Sequence, residues 1–212
     1  VICFNTRVYK LYSCTIMSIF CPFSIPILST EIDYNFSELR KDTRFIYNYG
    51  QDGTYTQDYR ILENYPTLKQ ELLDASLEYI KTIGLTKDYT ITTSWLTKVC
   101  KGESITAHYH KNCQFSGVLY YGEDYTDANP LWLINPTNKI DNFEQTPTGS
   151  TGLFSDYQVY PRTGLLIVFP FFLTHYMDQQ KHDVTRHSLA FNLHPTGVIG
   201  NGDSQVDVKW LL

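Results

Sequence analysis

GLLIVFPFFLTHYMDQQKHDVTRHSLAFNL, residues 164–193, decides how this chain folds. Gly164 opens an unbroken apolar run through Phe169, closed by Pro170, which is the signature of a strand buried on both faces. His175 follows in a predicted turn. From Arg186 onward apolar and polar residues alternate, so a second strand carries Arg186 and Ser188 on one face. Four upstream runs have the same character: YTITTSWLTKV (89–99), SITAHYH (104–110), FSGVLYY (115–121) and LWLI (131–134). Gly, Asn, Asp and Pro clusters separate them, which predicts an antiparallel β barrel or sandwich.

Outside these runs the signals are sparser. Thr67 with Gln70 forms a capping-box pattern, and Leu68, Leu72, Leu77, Ile80 and Ile83 make a helical stripe that stops at Gly84. Residues 19–28 read as extended and 31–65 as irregular, with a short helix near Phe36 to Arg40. Residues 122–160, rich in Gly, Asn, Asp, Thr and Pro, read as a long loop of the kind that selects a substrate. Residues 11–30 carry no charge and follow Arg7 and Lys10, but Pro22 and Pro26 interrupt the run, so no membrane insertion is expected. Met17-Ser18 makes a sensible start, so 1–16 are expected to be a dispensable leader. A single domain then spans 17–212, with 17–88 as helical support and 89–212 as the β core.

Composition narrows the function classes. With 212 residues, 42% hydrophobic and 15% aromatic, the chain has enough core for one domain, and its 18% charged content disfavours long surface helices. A formal charge of −5 offers no general drive toward nucleic acid or anionic lipid. The five cysteines, at 3, 14, 21, 100 and 113, contain no C-x-x-C pair, so neither a disulfide framework nor a zinc knuckle is indicated. They read as reduced thiols of a cytoplasmic protein.

The histidines stand at 108, 110, 175, 182, 187 and 194. In His108-Tyr109-His110 on a strand, both imidazoles point to one face and can converge on one metal while Tyr109 turns away. Two ordinary surface histidines would give the same pattern. Arg186 at the start of a core strand needs an anion, and its planar fork suits a carboxylate. Pairing with Asp178 or Asp183 would serve equally well.

Residues 94–121, SWLTKVCKGESITAHYHKNCQFSGVLYY, followed by 161–192, PRTGLLIVFPFFLTHYMDQQKHDVTRHSLAFN, resemble the 2-oxoglutarate/Fe(II)-dependent oxygenases of bacterial and marine phage genomes. HxH, SGVLYY, the G-x4-FP strand, the distal histidine and R-x-S fall in that family's order, and together they cover the C-terminal half. The resemblance implies a mainly β, double-stranded β-helix (a jelly-roll, cupin-like barrel) with N-terminal helical support. It implies Fe(II) at His108 and His175, and a 2-oxoglutarate carboxylate on Arg186 with Ser188. O2 is the third reactant, succinate and CO2 are products, and a C–H bond of an unidentified small molecule or peptide is hydroxylated. Tyr120, Tyr109 and Asn192 are candidates for supporting or co-substrate contacts. The implied setting is cytoplasm, that of a host if the chain is phage-encoded.

One position departs from the wider superfamily. Its usual motif is H-x-D or H-x-E, whereas this chain has His110 at the acidic position. A three-histidine face is favoured, with water or another group as the alternative. Two rival readings remain. Gly102 before His108 matches the opening of a cupin metal motif, although His175 lies too far behind Gly164 for the second. A non-catalytic barrel would be consistent with the missing carboxylate.

Overall fold

The division of the strands between two apolar surfaces organises the molecule. The computed structural model describes residues 24–47, 53–85, 88–136 and 156–209. The leader expected at 1–16, the first part of the extended stretch at 19–28, Cys3, Cys14 and Cys21, and loop residues 137–155 lie outside them. The elements run β1 (Leu28–Glu31), α1 (Ser37–Arg40), β2 (Phe45–Tyr47), β3 (Thr54–Thr56), α2 (Pro66–Thr82), β4 (Tyr89–Val99) and β5 (Ile105–His108). They continue with β6 (Phe115–Tyr120), β7 (Leu131–Leu133), β8 (Tyr157–Val159), β9 (Leu165–Pro170), β10 (His175–Met177), β11 (Arg186–Pro195), β12 (Gly197–Ile199) and β13 (Val206–Val208).

A seven-stranded antiparallel sheet, ordered β1-β9-β6-β11-β4-β3-β2, faces a four-stranded sheet, β5-β10-β7-β8. A small β12-β13 hairpin stands apart. This is the mainly β, two-sheet architecture expected of a double-stranded β-helix. Because side chains alternate, the large sheet serves two cores. Leu96, Leu119, Leu166, Val168, Leu189 and Phe191 face α2 and pack with Leu68, Leu72 and Ile80. Val118, Tyr120, Leu165, Ile167 and Phe169 face the small sheet and pack with Leu131, Leu133 and Val159. The apolar run 164–170 is thus buried on both faces, as its composition requires.

The helix stops where expected and starts differently. Gly84 takes φ +88°, its N–H bonds the Lys81 carbonyl at 3.0 Å, and the Leu85 N–H bonds the Ile80 carbonyl at 3.1 Å, a Schellman ending. At the other end the expected capping box does not form. Pro66 occupies the first turn, its ring already holding a helical φ, and Gln70 bonds Asp74 instead. Residues 31–65 are not wholly irregular, since β2 and β3 lie within them and form one edge of the large sheet while β1 forms the other. Strands of three residues such as β2 and β3 carry too little periodicity to announce themselves, and their pairing with each other and with β4 supplies the order. The support before residue 88 is therefore strand as well as helix. His175 opens β10 and does not sit in a turn; the turn lies at 171–172. Within 122–160, β7 stands where expected and β8 adds a second strand.

Candidate metal centre

Two of the three candidate histidines meet through strand pairing. His108 ends β5 and His175 begins β10, and the two are cross-strand partners, which places both side chains on the face turned toward the large sheet. Their ring centroids are 4.3 Å apart. His110 arrives by another route. The strand expected over 104–110 ends at His108, and the chain then leaves the small sheet to enter the large one at Phe115. His110 lies on that crossing, its N–H bonded to the Phe171 carbonyl at 3.2 Å. Its ring points inward, with centroids 5.4 Å from His108 and 5.2 Å from His175.

One ligand atom from each ring lies within 4.8 Å of the others. Each Nδ1 faces an oxygen acceptor: His108 with the Thr106 carbonyl at 2.7 Å, His175 with the Leu173 carbonyl at 3.0 Å, and His110 with Asn192 Oδ1 at 2.6 Å. An acceptor at Nδ1 fixes the proton there and leaves the Nε2 lone pair free to ligate. Asn192 is itself held, since Oδ1 also accepts from the Ser116 hydroxyl at 3.0 Å and Nδ2 donates to Thr93 Oγ1 at 2.9 Å. Burial, reinforced by neighbouring His108, pushes His175 down to about 3. Burial likewise lowers His110, against the opposing hydrogen bond from Asn192. These rings are neutral at pH 7, as metal ligation requires.

The same cavity contains Arg186, Ser188, Val118, Leu131 and Ala190. Arg186 is 1% exposed, yet among the described residues its side chain makes a single hydrogen bond, from Nη2 to the Tyr120 hydroxyl at 2.7 Å. Its carbon Cζ lies 4.8 Å from the Tyr120 ring centre, and Nε has no partner. Among the described residues no carboxylate lies within 4 Å of the guanidinium, so the pairing with Asp178 or Asp183 does not occur. A buried guanidinium without a counter-charge costs several kcal/mol on the order of a broken ion pair, and it marks where an anion belongs. Tyr120 is fully buried, and its hydroxyl is pushed up by that burial, Arg186 pulling the other way. Ser188 lies two residues from Arg186 on the same face, opposite Tyr120 in the ladder.

Tyr109 is the candidate that does not reach the site. It is 49% exposed, with the Lys111 ammonium 5.8 Å from its ring centre, because the residue between two inward histidines points out. Residues not singled out by sequence complete the centre. The Thr106 and Leu173 carbonyls carry no sequence signal, whereas Ser116 and Thr93 could be found only once Asn192 was paired across the sheet. Trp95, whose ring centroid is 5.5 Å from His110, lies inside the SWL stretch but had no role until the chain folded.

Comparison with known proteins agrees with this geometry. Residues 93–192 match the family model described as "Putative 2OG-Fe(II) oxygenase". No curated protein matches the chain by sequence. HygX from Streptomyces hygroscopicus, solved with nickel and 2-oxoglutarate bound, has a TM-score of 0.52 at 14% identity over 81% of this chain and 84% of that one. SnoK, a non-heme alpha ketoglutarate dependent carbocyclase from nogalamycin biosynthesis, gives 0.55 at 11% identity over 80% and 79%. A 2OG-Fe(II) oxygenase family oxidoreductase from Burkholderia pseudomallei gives 0.47 at 15% identity over 71% and 66%, so the chain spans just under two thirds of that protein. At these identities the likeness is one of fold.

Proposed function

We propose that this chain, in which residues 93–192 belong to the 2OG-Fe(II) oxygenase family, is a 2-oxoglutarate-dependent hydroxylase with a three-histidine metal face. The observation that carries the reading is one cavity lined both by three histidines with free ligating nitrogens and by a buried guanidinium without a counter-anion. Bound iron would supply the oxidation, in which 2-oxoglutarate and O2 become succinate and CO2 while one oxygen atom enters a substrate C–H bond.

The chain's own groups do the rest. His108, His110 and His175 present ligating nitrogens on one side and leave the opposite side open. Arg186 takes the far carboxylate of 2-oxoglutarate through Nε and its remaining N–H groups. Tyr120 accepts from Arg186 and keeps its own proton to donate to the same carboxylate, and Ser188 offers a hydroxyl beside it. Val118, Leu131 and Ala190 give the cavity apolar walls, which exclude water and strengthen the Arg186–carboxylate attraction. The prime substrate is read as a small molecule or peptide, not a nucleic acid, consistent with the acidic balance.

Among the described residues no helix is long and apolar enough to cross a membrane. Cys100 and Cys113 are free thiols, which supports a cytoplasmic setting. The test is anaerobic reconstitution with Fe(II), followed by oxygen and measurement of succinate. Slow Fe(II)-dependent succinate formation is expected without any added substrate. Arg186→Lys should raise the Michaelis constant for 2-oxoglutarate by about a hundredfold, because an ammonium cannot replace the bidentate fork. No metal-dependent succinate, or an unchanged constant in the variant, would remove the reading.

A further inference from the structure

A second concavity opens beside the metal centre, lined by Tyr55, Tyr59, Trp95, His110, Lys111 and Asn192, together with His108. One side of it is an aromatic wall. Trp95 stands 5.5 Å from the His110 ring, Tyr59 stands 6.2 Å from Trp95, and Tyr55 stands 6.0 Å from Tyr59, centroid to centroid. The wall runs from the metal centre to solvent, where Tyr59 is 49% exposed. The tilts between successive rings, 33°, 59° and 46°, make it a continuous surface and not a slot that could clasp a ring on both faces.

The polar capacity of this groove is largely spent. The Asn192 amide is committed to His110, Ser116 and Thr93. The Tyr55 and Tyr59 hydroxyls are the polar groups left on the aromatic wall. The histidine Nδ1 atoms are engaged as described above. That leaves few polar groups beside a broad, faceted ring surface, which suits the faces and edges of an aromatic guest. The residue that breaks the pattern is Lys111 at the rim, whose exposed ammonium lies 5.8 Å from the centre of the outward-facing Tyr109 ring and has no acid within ion-pair distance among the described residues. Among the described residues no carboxylate lines the groove. Aromatic faces also attract cations, but a cationic guest would meet Lys111 here and Arg186 behind it, so the electrostatics favour an anion.

We infer that the prime substrate is a small carboxylic acid bearing an aromatic ring, packed against Trp95 and Tyr59 with its acid group toward Lys111. This assignment rests on the oxygenase reading of the adjacent centre, which it supplies with a substrate class. It is tested by titrating the full chain, loaded with Zn(II) and saturating 2-oxoglutarate, with three compounds followed by calorimetry and ligand-observed NMR. These are 3-phenylpropionate, which has ring and acid; 3-phenylpropanol, ring alone; and hexanoate, acid alone.

The expected result is 3-phenylpropionate binding at least about tenfold more tightly than either of the others, roughly the loss of one charge-assisted contact or one stacked ring. Lys111→Ala and Tyr59→Ala should each weaken 3-phenylpropionate by about tenfold and leave 2-oxoglutarate binding unchanged. Equal or absent binding of the three compounds, with 2-oxoglutarate still bound, overturns the inference and leaves the oxygenase reading intact. Binding that Arg186→Lys abolishes and Lys111→Ala does not alter overturns it too, since the acid then sits in the co-substrate pocket. If 2-oxoglutarate fails to bind while 3-phenylpropionate binds in a Lys111-dependent manner, the groove assignment stands and the oxygenase reading falls.

Discussion

His110 is the residue on which the chemistry turns. A carboxylate in its place would need no tautomer control, whereas an imidazole ligates only when the proton is kept on the other nitrogen. Asn192 provides that control through the 2.6 Å bond to Nδ1. Asn192→Ala leaves the N–H of a buried ring without an acceptor and frees the tautomer that cannot ligate. Metal affinity, read by competition with a chromophoric chelator, should fall by about 10- to 100-fold. Asn192→Asp keeps an acceptor and adds negative charge beside the ring, so affinity should be retained. Loss of affinity in the Asp variant equal to that in the Ala variant would show that Asn192 acts only through packing. At this scale the sequence was partly legible: HxH and R-x-S could be picked out by residue type and spacing, while the acceptors behind them, two of them main-chain carbonyls, could not.

At the scale of the element, β6 and β11 are the central pair, and everything in the site hangs on their register. Gly117 lies opposite Phe191 in that ladder, and a methyl group there would overlap the Phe191 ring, which is fully buried in the helix-side core. Gly117→Ala should therefore destabilise by about 1–3 kcal/mol through overpacking, a drop in melting temperature of roughly 5 °C for a domain of this size. Adding Phe191→Leu should recover part of the loss by vacating the space. An unchanged melting temperature in Gly117→Ala would mean that the ring shifts at no cost. The long strands were readable because eleven residues of alternation in β4 or six apolar residues in β9 exceed what chance supplies. The three-residue strands β2 and β3 were not, because their pairing is imposed from β4 and not by their own sequence.

The whole molecule feels the buried histidines through its pH dependence. His175 titrates near 3 when folded against about 6.5 when unfolded, so between those values the unfolded chain binds the extra proton. Stability is full above about 6.5 and is lost as pH falls, by about 2 kcal/mol from this residue alone between pH 7.5 and 5. Burial lowers His110 and His187 in the same direction. Denaturant midpoints of the chelator-treated protein at the two pH values should show this loss, and Zn(II) should offset it, since metal competes with the proton. Equal midpoints would mean that the histidines are not held neutral by the fold. Periodicity and residue type are local properties that survive without contacts, so the antiparallel β character, the helix with its glycine stop and the His108-x-His110 pair were legible in the chain alone, whereas the roles given to His175, Arg186 and Ser188 are what the family resemblance implies. Only the tertiary structure decided that His110 turns inward from a crossing segment, that Arg186 is buried without a carboxylate, and that an aromatic wall adjoins the metal centre. Each of these depends on which strands lie side by side, and that is fixed by packing between residues far apart in the chain.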